Sequence, residues 1–408
     1  MDIAPFRGLR YNLERLAAEG LQKPAAAVTA PPYDVLSPSE HAERLAASPY
    51  NITALTLGTT PGETSDYDAR AAALDDWVEA GVLIEDPQPR IYAYTIDYAL
   101  PTGEERRRFC GLLALGRIRP FADGIVLPHE QTFPKVVDDR VRLLDATRTH
   151  LESIALLYAD RDGEIDQLLL TAADAPAAIS VEAKPGEHHS LHPISDAATI
   201  GELQRLFTAQ RPIIADGHHR YTMGVRYRDD RADTVPGCDW QLMTFANLYS
   251  DGLTILATHR LVKLHNLAAT DALTLLRERL DEVGEGGAWD LCVETSESVT
   301  RFRFPESVRS TKRGVAGTSY SLLHTVVFDD WLRGHVPESG VSYYKESTGE
   351  RVALERGDGD LLFRLQPVDR DEFQTVVQGH EVFPHKTTYF YPKLWSGLAL
   401  WRLAAVDT

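Results

Sequence analysis

Three cysteines occur in 408 residues, Cys110, Cys238 and Cys292. They are odd in number, far apart and in no Cys-x-x-Cys spacing, which argues against a disulfide framework and a zinc ribbon. Long apolar runs are also missing, so no transmembrane helix is expected. Basic charge is short: 42 Lys and Arg face 60 Asp and Glu, a net charge of -18. So acidic a surface repels phosphate backbones, and nucleic acid is not an expected partner. Asp2 stands where a secretory signal wants cations, and no long apolar stretch follows it. The expectation is a cytoplasmic protein without membrane contact.

What is present is ordinary globular composition, 43% hydrophobic and 25% charged, which excludes a disordered chain or a coiled-coil rod. The length suggests about two to three domains. Three segments are expected: an N-terminal α/β segment at 1–110, a core at 111–264, and a C-terminal α+β region at 265–408. The fold class is α+β, because the pattern lacks βαβα regularity.

Locally, Pro31-Pro32-Tyr33-Asp34 reads as extended. Ser37-Pro38-Ser39-Glu40 reads as a capped helix start. Ile52 to Leu57 alternates and predicts a strand. Arg90–Leu100 and Glu105–Leu115 predict a hairpin. Helices are expected over 136–147, 197–207, 222–231 and 271–283. His188-His189-x-x-His192 falls in an expected loop, with no helical frame to gather a metal.

The densest chemistry is Pro212-Ile213-Ile214-Ala215-Asp216-Gly217-His218-His219-Arg220-Tyr221. A short apolar strand ends in a glycine turn and a helix begins at once. The first N–H groups of a helix lack internal partners and sit at the positive end of its dipole, which suits a phosphate. Gly217 permits close approach, and Arg220 adds a charge-assisted contact. Asp216 as a plain helix cap and Arg220 in a surface ion pair form the competing structural reading. His218 and His219 point in different directions, so at most one is expected to face a ligand.

Leu127-Pro128-His129-Glu130 is the second feature. A carboxylate beside a bound phosphate can take a proton from an attacking hydroxyl or hold magnesium. Taken alone, Glu130 also reads as a solvated loop acid. The third feature is the C-terminal run from Val382 to Lys393. Lys386, Tyr389 and Lys393 could bind an anion or line an edge strand. Two polar-aromatic clusters, one with Arg7 and one with Tyr33 and Asp34, are further candidates for substrate or anion binding, as is His129. P-loop, dinucleotide, nucleophile-elbow and His-Glu-x-x-His motifs are absent from the sequence.

Five ordered motifs resemble an uncharacterised prokaryotic family, domain of unknown function 1015, over nearly the whole chain. They are Ala4–Tyr11, Ala30–Val35, Leu127–Glu130, Asp216–Tyr221 and Lys386–Lys393. The Asp216–Tyr221 turn is also similar to the Gly-x-His-Arg signature of the ParB/sulfiredoxin superfamily, and most closely to that of its free serine kinases. That resemblance implies a ParB/sulfiredoxin-like mixed core with nucleotide phosphates held by Asp216, Gly217, His218, His219 and Arg220. It implies catalytic roles for Glu130, acting on a substrate hydroxyl, and for His218 or His219. It implies ATP or ADP and Mg2+ as cofactors, and free L-serine as an acceptor. His218 replaces the sulfiredoxin cysteine, so sulfinic acid reduction is not implied. The stretch from Glu130 to Asp216 is longer than in the compact kinases, which implies an insertion in the core near 160–210, and the chain's first and last segments have no counterpart there.

The expected function is therefore a nucleotide-dependent phosphotransferase on a small hydroxyl-bearing metabolite. A nucleotide-binding regulatory protein without turnover and a metal-dependent hydrolase remain the alternatives. The expected partners are a small-molecule substrate and a nucleotide, with a homodimer left open.

Overall fold

A computed structural model describes residues 1–60, 66–101, 103–130, 132–345 and 349–406. The chain is mixed α+β and forms two compact units. The first comprises Met1–Leu100, Glu105–Leu253 and Pro392–Thr408, and the second comprises Pro101–Glu104 and Thr254–Tyr391.

The first unit is built on an eight-stranded sheet. Its order is Ile213–Asp216, Ile154–Tyr158, Trp240–Asn247, Arg106–Arg117, Ile91–Ala99, Glu187–Ile194 and Ile179–Lys184, with Ile3–Ala4 pairing on Arg106–Arg117. Trp240–Asn247 runs parallel to Ile154–Tyr158, and the other pairings are antiparallel. Trp240–Asn247 is buried along its whole length, the pattern of a central strand covered on both faces. Ile154, Leu156, Ile214, Phe207 and Phe245 pack together in the core of this unit. The Arg106 strand forms the expected hairpin with Ile91–Ala99.

The second unit holds an antiparallel sheet ordered Asp281–Val283, Val299–Arg303, Leu291–Glu294, Leu361–Leu365, Thr254–Val262 and Val341–Lys345, with Thr388–Tyr391 also on Thr254–Val262. The three cysteines are buried and free. Among the described residues no helix is long and apolar enough to cross a membrane.

Several local expectations hold. Ser37 and Glu40 form a reciprocal capping box, with Pro38 in the first helical position. Helices span Pro134–Thr147 and Ala197–Thr208. Others need correction. Thr53–Thr56 is a helical turn, not a strand. The Asn51 side chain accepts from the backbone N–H of Thr53 at 3.1 Å and from its hydroxyl at 2.9 Å, which starts the turn locally. Pro32 is extended, but Tyr33–Val35 closes into a 3-10 turn. The expected helix over 271–283 is shorter, Ala269–Arg277, and Asp281–Val283 instead pairs with Arg301–Arg303.

His188, His189 and His192 lie on the strand Glu187–Ile194 rather than in a loop. His189 is buried between the Tyr94 hydroxyl at 2.7 Å and Glu187 at 3.0 Å. His192 donates from Nδ1 to the Ala175 carbonyl.

Candidate functional site

The strand Ile213–Asp216 leads through Gly217 into the helix His218–Arg231. Gly217 has φ +96°, in the left-handed region that disfavours a side chain. A Cβ there would stand 2.7 Å from Ile154 Cγ2, so packing also requires glycine. Gly217 supplies no side chain to cap the helix. Its carbonyl accepts from the Tyr221 N–H at 2.9 Å, closing the first turn. The N–H groups of residues 218–220 precede that first intrahelical bond and point out of the helix end.

The Leu127–Glu130 segment runs alongside this turn. Leu127 forms a parallel bridge with Ile213. His129 Nδ1 donates to the Ile214 carbonyl at 2.6 Å, which fixes its tautomer. The His129 N–H donates to His218 Nε2 at 3.3 Å, and the two rings meet edge to face. Further on, the Phe133 N–H donates to His219 Nε2 at 3.0 Å while Phe133 stacks on that imidazole. Half-buried Glu130 thus lies in sequence between two residues, His129 and Phe133, whose backbone N–H groups are bonded to the first helical turn. Burial pushes the His129 pKa down to about 4, opposed by its bond to Ile214 and aided by Lys393. Burial, with neighbouring His129, holds His218 well below the ordinary imidazole range. Both rings are neutral at neutral pH.

Beside the turn lies a buried charge cluster. Arg220 NH1 donates to the Ser153 carbonyl at 2.7 Å, and its guanidinium lies 3.9 Å from Glu152 and 4.0 Å from Asp216. Lys393 Nζ is 3.3 Å from Asp216. Tyr33 takes the Arg140 guanidinium over its ring at 4.3 Å and that of Arg220 at 5.9 Å. Burial pushes the Tyr33 hydroxyl up to about 12 against the pull of both arginines. Burial likewise works against ionisation of Asp216, but Lys393 and Arg220 outweigh it and hold its carboxyl below the usual range. Asp34 goes the other way: burial and the nearby Asp216 raise it, despite Arg220. Arg220 is raised in turn, because Glu152, Asp216 and Asp34 outweigh its burial.

Sequence reasoning missed Glu152. It accepts from the Ser396 hydroxyl at 2.6 Å and from the Tyr33 N–H at 3.3 Å. Its signal was a charged-polar pair, Glu152-Ser153, wedged between Leu151 and the apolar strand from Ile154. Asp216, Arg220, Ser153, Trp395 and Ser396 line a small concavity. Arg220 and Glu152 also line a second small concavity with Arg140, His150 and Gln241.

The fold thus brings Tyr33, Asp34, Asp216, Arg220 and Lys393 together, and His129 against His218. Arg7 is elsewhere in this unit, donating to the carbonyls of Asp86 and Pro87. Lys386 and Tyr389 belong to the second unit. Among the described residues no group of three or more His, Cys, Asp or Glu side chains is arranged to hold a metal ion.

These features define an α+β protein with a strand–turn–helix motif beside a buried ion cluster. The chain belongs to the family described as protein of unknown function (DUF1015), whose model matches residues 3–342. No curated protein matches it. Among solved structures it is similar to SbnI with C-terminal truncation from Staphylococcus aureus, at 13% identity over 70% of this chain and 85% of that one, with a TM-score of 0.38. A free serine kinase mutant in complex with ADP shares 14% identity over 68% and 87%, with a TM-score of 0.36. A conserved hypothetical protein from Pyrococcus furiosus shares 12% over 68% and 90%, with a TM-score of 0.34.

Proposed function

We propose that the chain is a nucleotide-dependent phosphotransferase acting on a small hydroxyl-bearing metabolite, with free L-serine the first acceptor to test. One observation carries this reading. The backbone N–H groups of His129 and Phe133, which flank Glu130 in sequence, are bonded to the two histidines that open the helix after Gly217, which supports a role for Glu130 at that turn. Phosphoryl transfer asks for positioning and charge neutralisation more than for covalent help. The residue 218–220 N–H groups and Arg220 would hold ATP or ADP phosphates. Neutral His218 or His219 would donate to a phosphoryl oxygen, and Glu130 would orient or deprotonate the acceptor hydroxyl. Asp34, Tyr33 and Lys393 are placed to contact the polar end of a small substrate.

A resident metal caged by protein side chains does not fit the described donor set. Magnesium arriving on a nucleotide needs one or two carboxylates and keeps several waters, and Glu130 and Asp216 are of that kind. It would neutralise phosphate charge.

The test mixes the full chain, magnesium and ATP or ADP with a panel of amino acids and small alcohols. Mass spectrometry looks for a phosphorylated product, with Glu130→Gln alongside. A product that disappears in the variant supports the reading. Nucleotide binding without turnover favours a regulatory protein instead. If nucleotide neither binds nor reacts, both readings fail.

A further inference from the structure

The second unit holds a different concentration of charge. Arg260, on the strand Thr254–Val262, is fully buried. Buried guanidinium groups ordinarily lie against a carboxylate, since an uncompensated charge in the interior is costly. Arg260 does not. Its Nε lies 3.3 Å from His324 Nε2, NH1 donates to the Thr258 carbonyl, and NH2 donates to the Lys386 carbonyl at 3.2 Å. No carboxylate among the described residues pairs with it.

The rest of the neighbourhood is basic and aromatic. Tyr343 lies directly across the sheet from Arg260. The guanidinium sits 5.2 Å from its ring centroid and 5.0 Å from that of Tyr320. The Lys386 ammonium also lies over Tyr343, at 5.0 Å, and Lys386 holds a left-handed φ of 54° that a lysine rarely adopts. His324 stacks on the same ring, and His385 meets it edge-on, each with centroids 6.5 Å apart. Two permanent cations and two imidazoles thus converge on one tyrosine, in a chain of net charge -18. Exposure is graded: Lys386 and His385 are exposed, Tyr343 and His324 half-buried, Arg260 buried. Burial and the adjacent arginine hold His324 near a pKa of about 4, so added positive charge is already resisted there.

We infer that this cluster binds a small oxyanion of the phosphate class, either inorganic phosphate or the phosphoryl group of a small metabolite. Lys386 and His385 form its mouth, and Arg260 with His324 supplies the charge beneath. A phosphate brings about two negative charges and several acceptor oxygens, which offset the cations and suit Lys, Arg and imidazole donors. The acidic surface elsewhere disfavours an extended polyanion. This inference goes beyond the phosphotransfer reading and does not rest on it.

The test is a titration of the full chain with inorganic phosphate, and separately with phosphoserine, at ionic strength held constant with sodium chloride. Imidazole NMR signals are followed and assigned by their loss in His324→Asn and His385→Asn. The expected result is a saturable movement of both signals, with affinity weakened about tenfold or more in Lys386→Ala. Exposed Lys386 can be truncated without opening the core, whereas Arg260→Met would disturb a fully buried side chain. A tighter response to phosphoserine would assign the site to a phosphorylated metabolite, and a tighter response to phosphate to the free ion. Signals that stay still, or an affinity that Lys386→Ala changes less than about fivefold, would overturn the inference.

Discussion

Replacing Arg220 with methionine would test whether the buried cluster is held together by charge. The guanidinium gives up its 2.7 Å bond to the Ser153 carbonyl and its positions near Glu152 and Asp216. Removing one member of a buried ionic group costs about 3–5 kcal/mol, because a charge is left without compensation. Here the carboxylates stand 3.9 and 4.0 Å away, Lys393 stays on Asp216, and Ser396 stays on Glu152. The expected loss is therefore at the lower end, about 3 kcal/mol.

The pH dependence has a definite sign. Lys393 and Arg220 outweigh burial and depress the folded-state pKa of Asp216. Its stabilising contribution is present above the ordinary aspartate pKa of about 3.9 and is lost as pH falls through the depressed value. Without Arg220 the carboxyl rises, so the variant suffers most at neutral pH. The difference from the parent should narrow as pH falls below about 4. Urea unfolding followed by tryptophan fluorescence, at neutral pH and at about pH 3, measures both quantities. A loss under about 1 kcal/mol, or one that does not change with pH, would refute the argument and make Arg220 a packing residue.

Asp34→Asn should act in the opposite direction. Burial and Asp216 raise the folded pKa of Asp34, so its ionised form costs stability at neutral pH. The variant should be slightly more stable at neutral pH, by an amount that solvent screening keeps small because Asp34 is exposed, with the gain fading under acid, and phosphotransfer should fall; a variant less stable at neutral pH would sink this reading. Gly217→Ala should cost about 2–5 kcal/mol, from the left-handed backbone and the contact with Ile154. Adding Ile154→Ala should not restore the backbone part, and denaturant midpoints of the single and double variants check both. Glu130→Gln should leave nucleotide affinity within about threefold while product formation drops at least about a hundredfold, as expected for a general base; calorimetry beside the mass-spectrometric assay separates the two.

The strand–turn–helix was legible because its determinants are local. An apolar strand, a glycine and a helical run lie within ten residues of sequence. The Ser37 capping box was legible for the same reason. Thr53–Thr56 was not, because Ile52–Leu57 alternates like a strand while being buried on every side, so period carries no information and the Asn51 side chain decides. Glu152 was invisible as a site residue because its burial comes from residues far away in sequence, Tyr33 and Ser396. Lys386 and Lys393 read as one basic motif. The chain changes unit between Tyr391 and Pro392, and seven residues of sequence give no sign of that crossing.

The composition of the buried cluster explains why the chain's outer segments matter to its centre. Asp216 and Arg220 come from the strand–turn–helix, and Glu152 from the edge of the neighbouring strand. On their own, two carboxylates would share one cation. The N-terminal segment adds Asp34, which deepens the deficit, and Tyr33, whose ring takes both arginines. The segment after Pro392 adds Lys393, the cation nearest Asp216. Three carboxylates then face two cations, and the imbalance falls on Asp34, whose pKa rises, while Asp216 stays ionised. An arrangement selected for stability alone would not keep a carboxylate that opposes folding. Groups with shifted ionisation, gathered beside a concavity, cluster at functional sites. The segments that supply Asp34 and Lys393 are therefore read as parts of the site, and Asp34 as the group whose charge awaits a cationic partner such as the amino group of an amino acid.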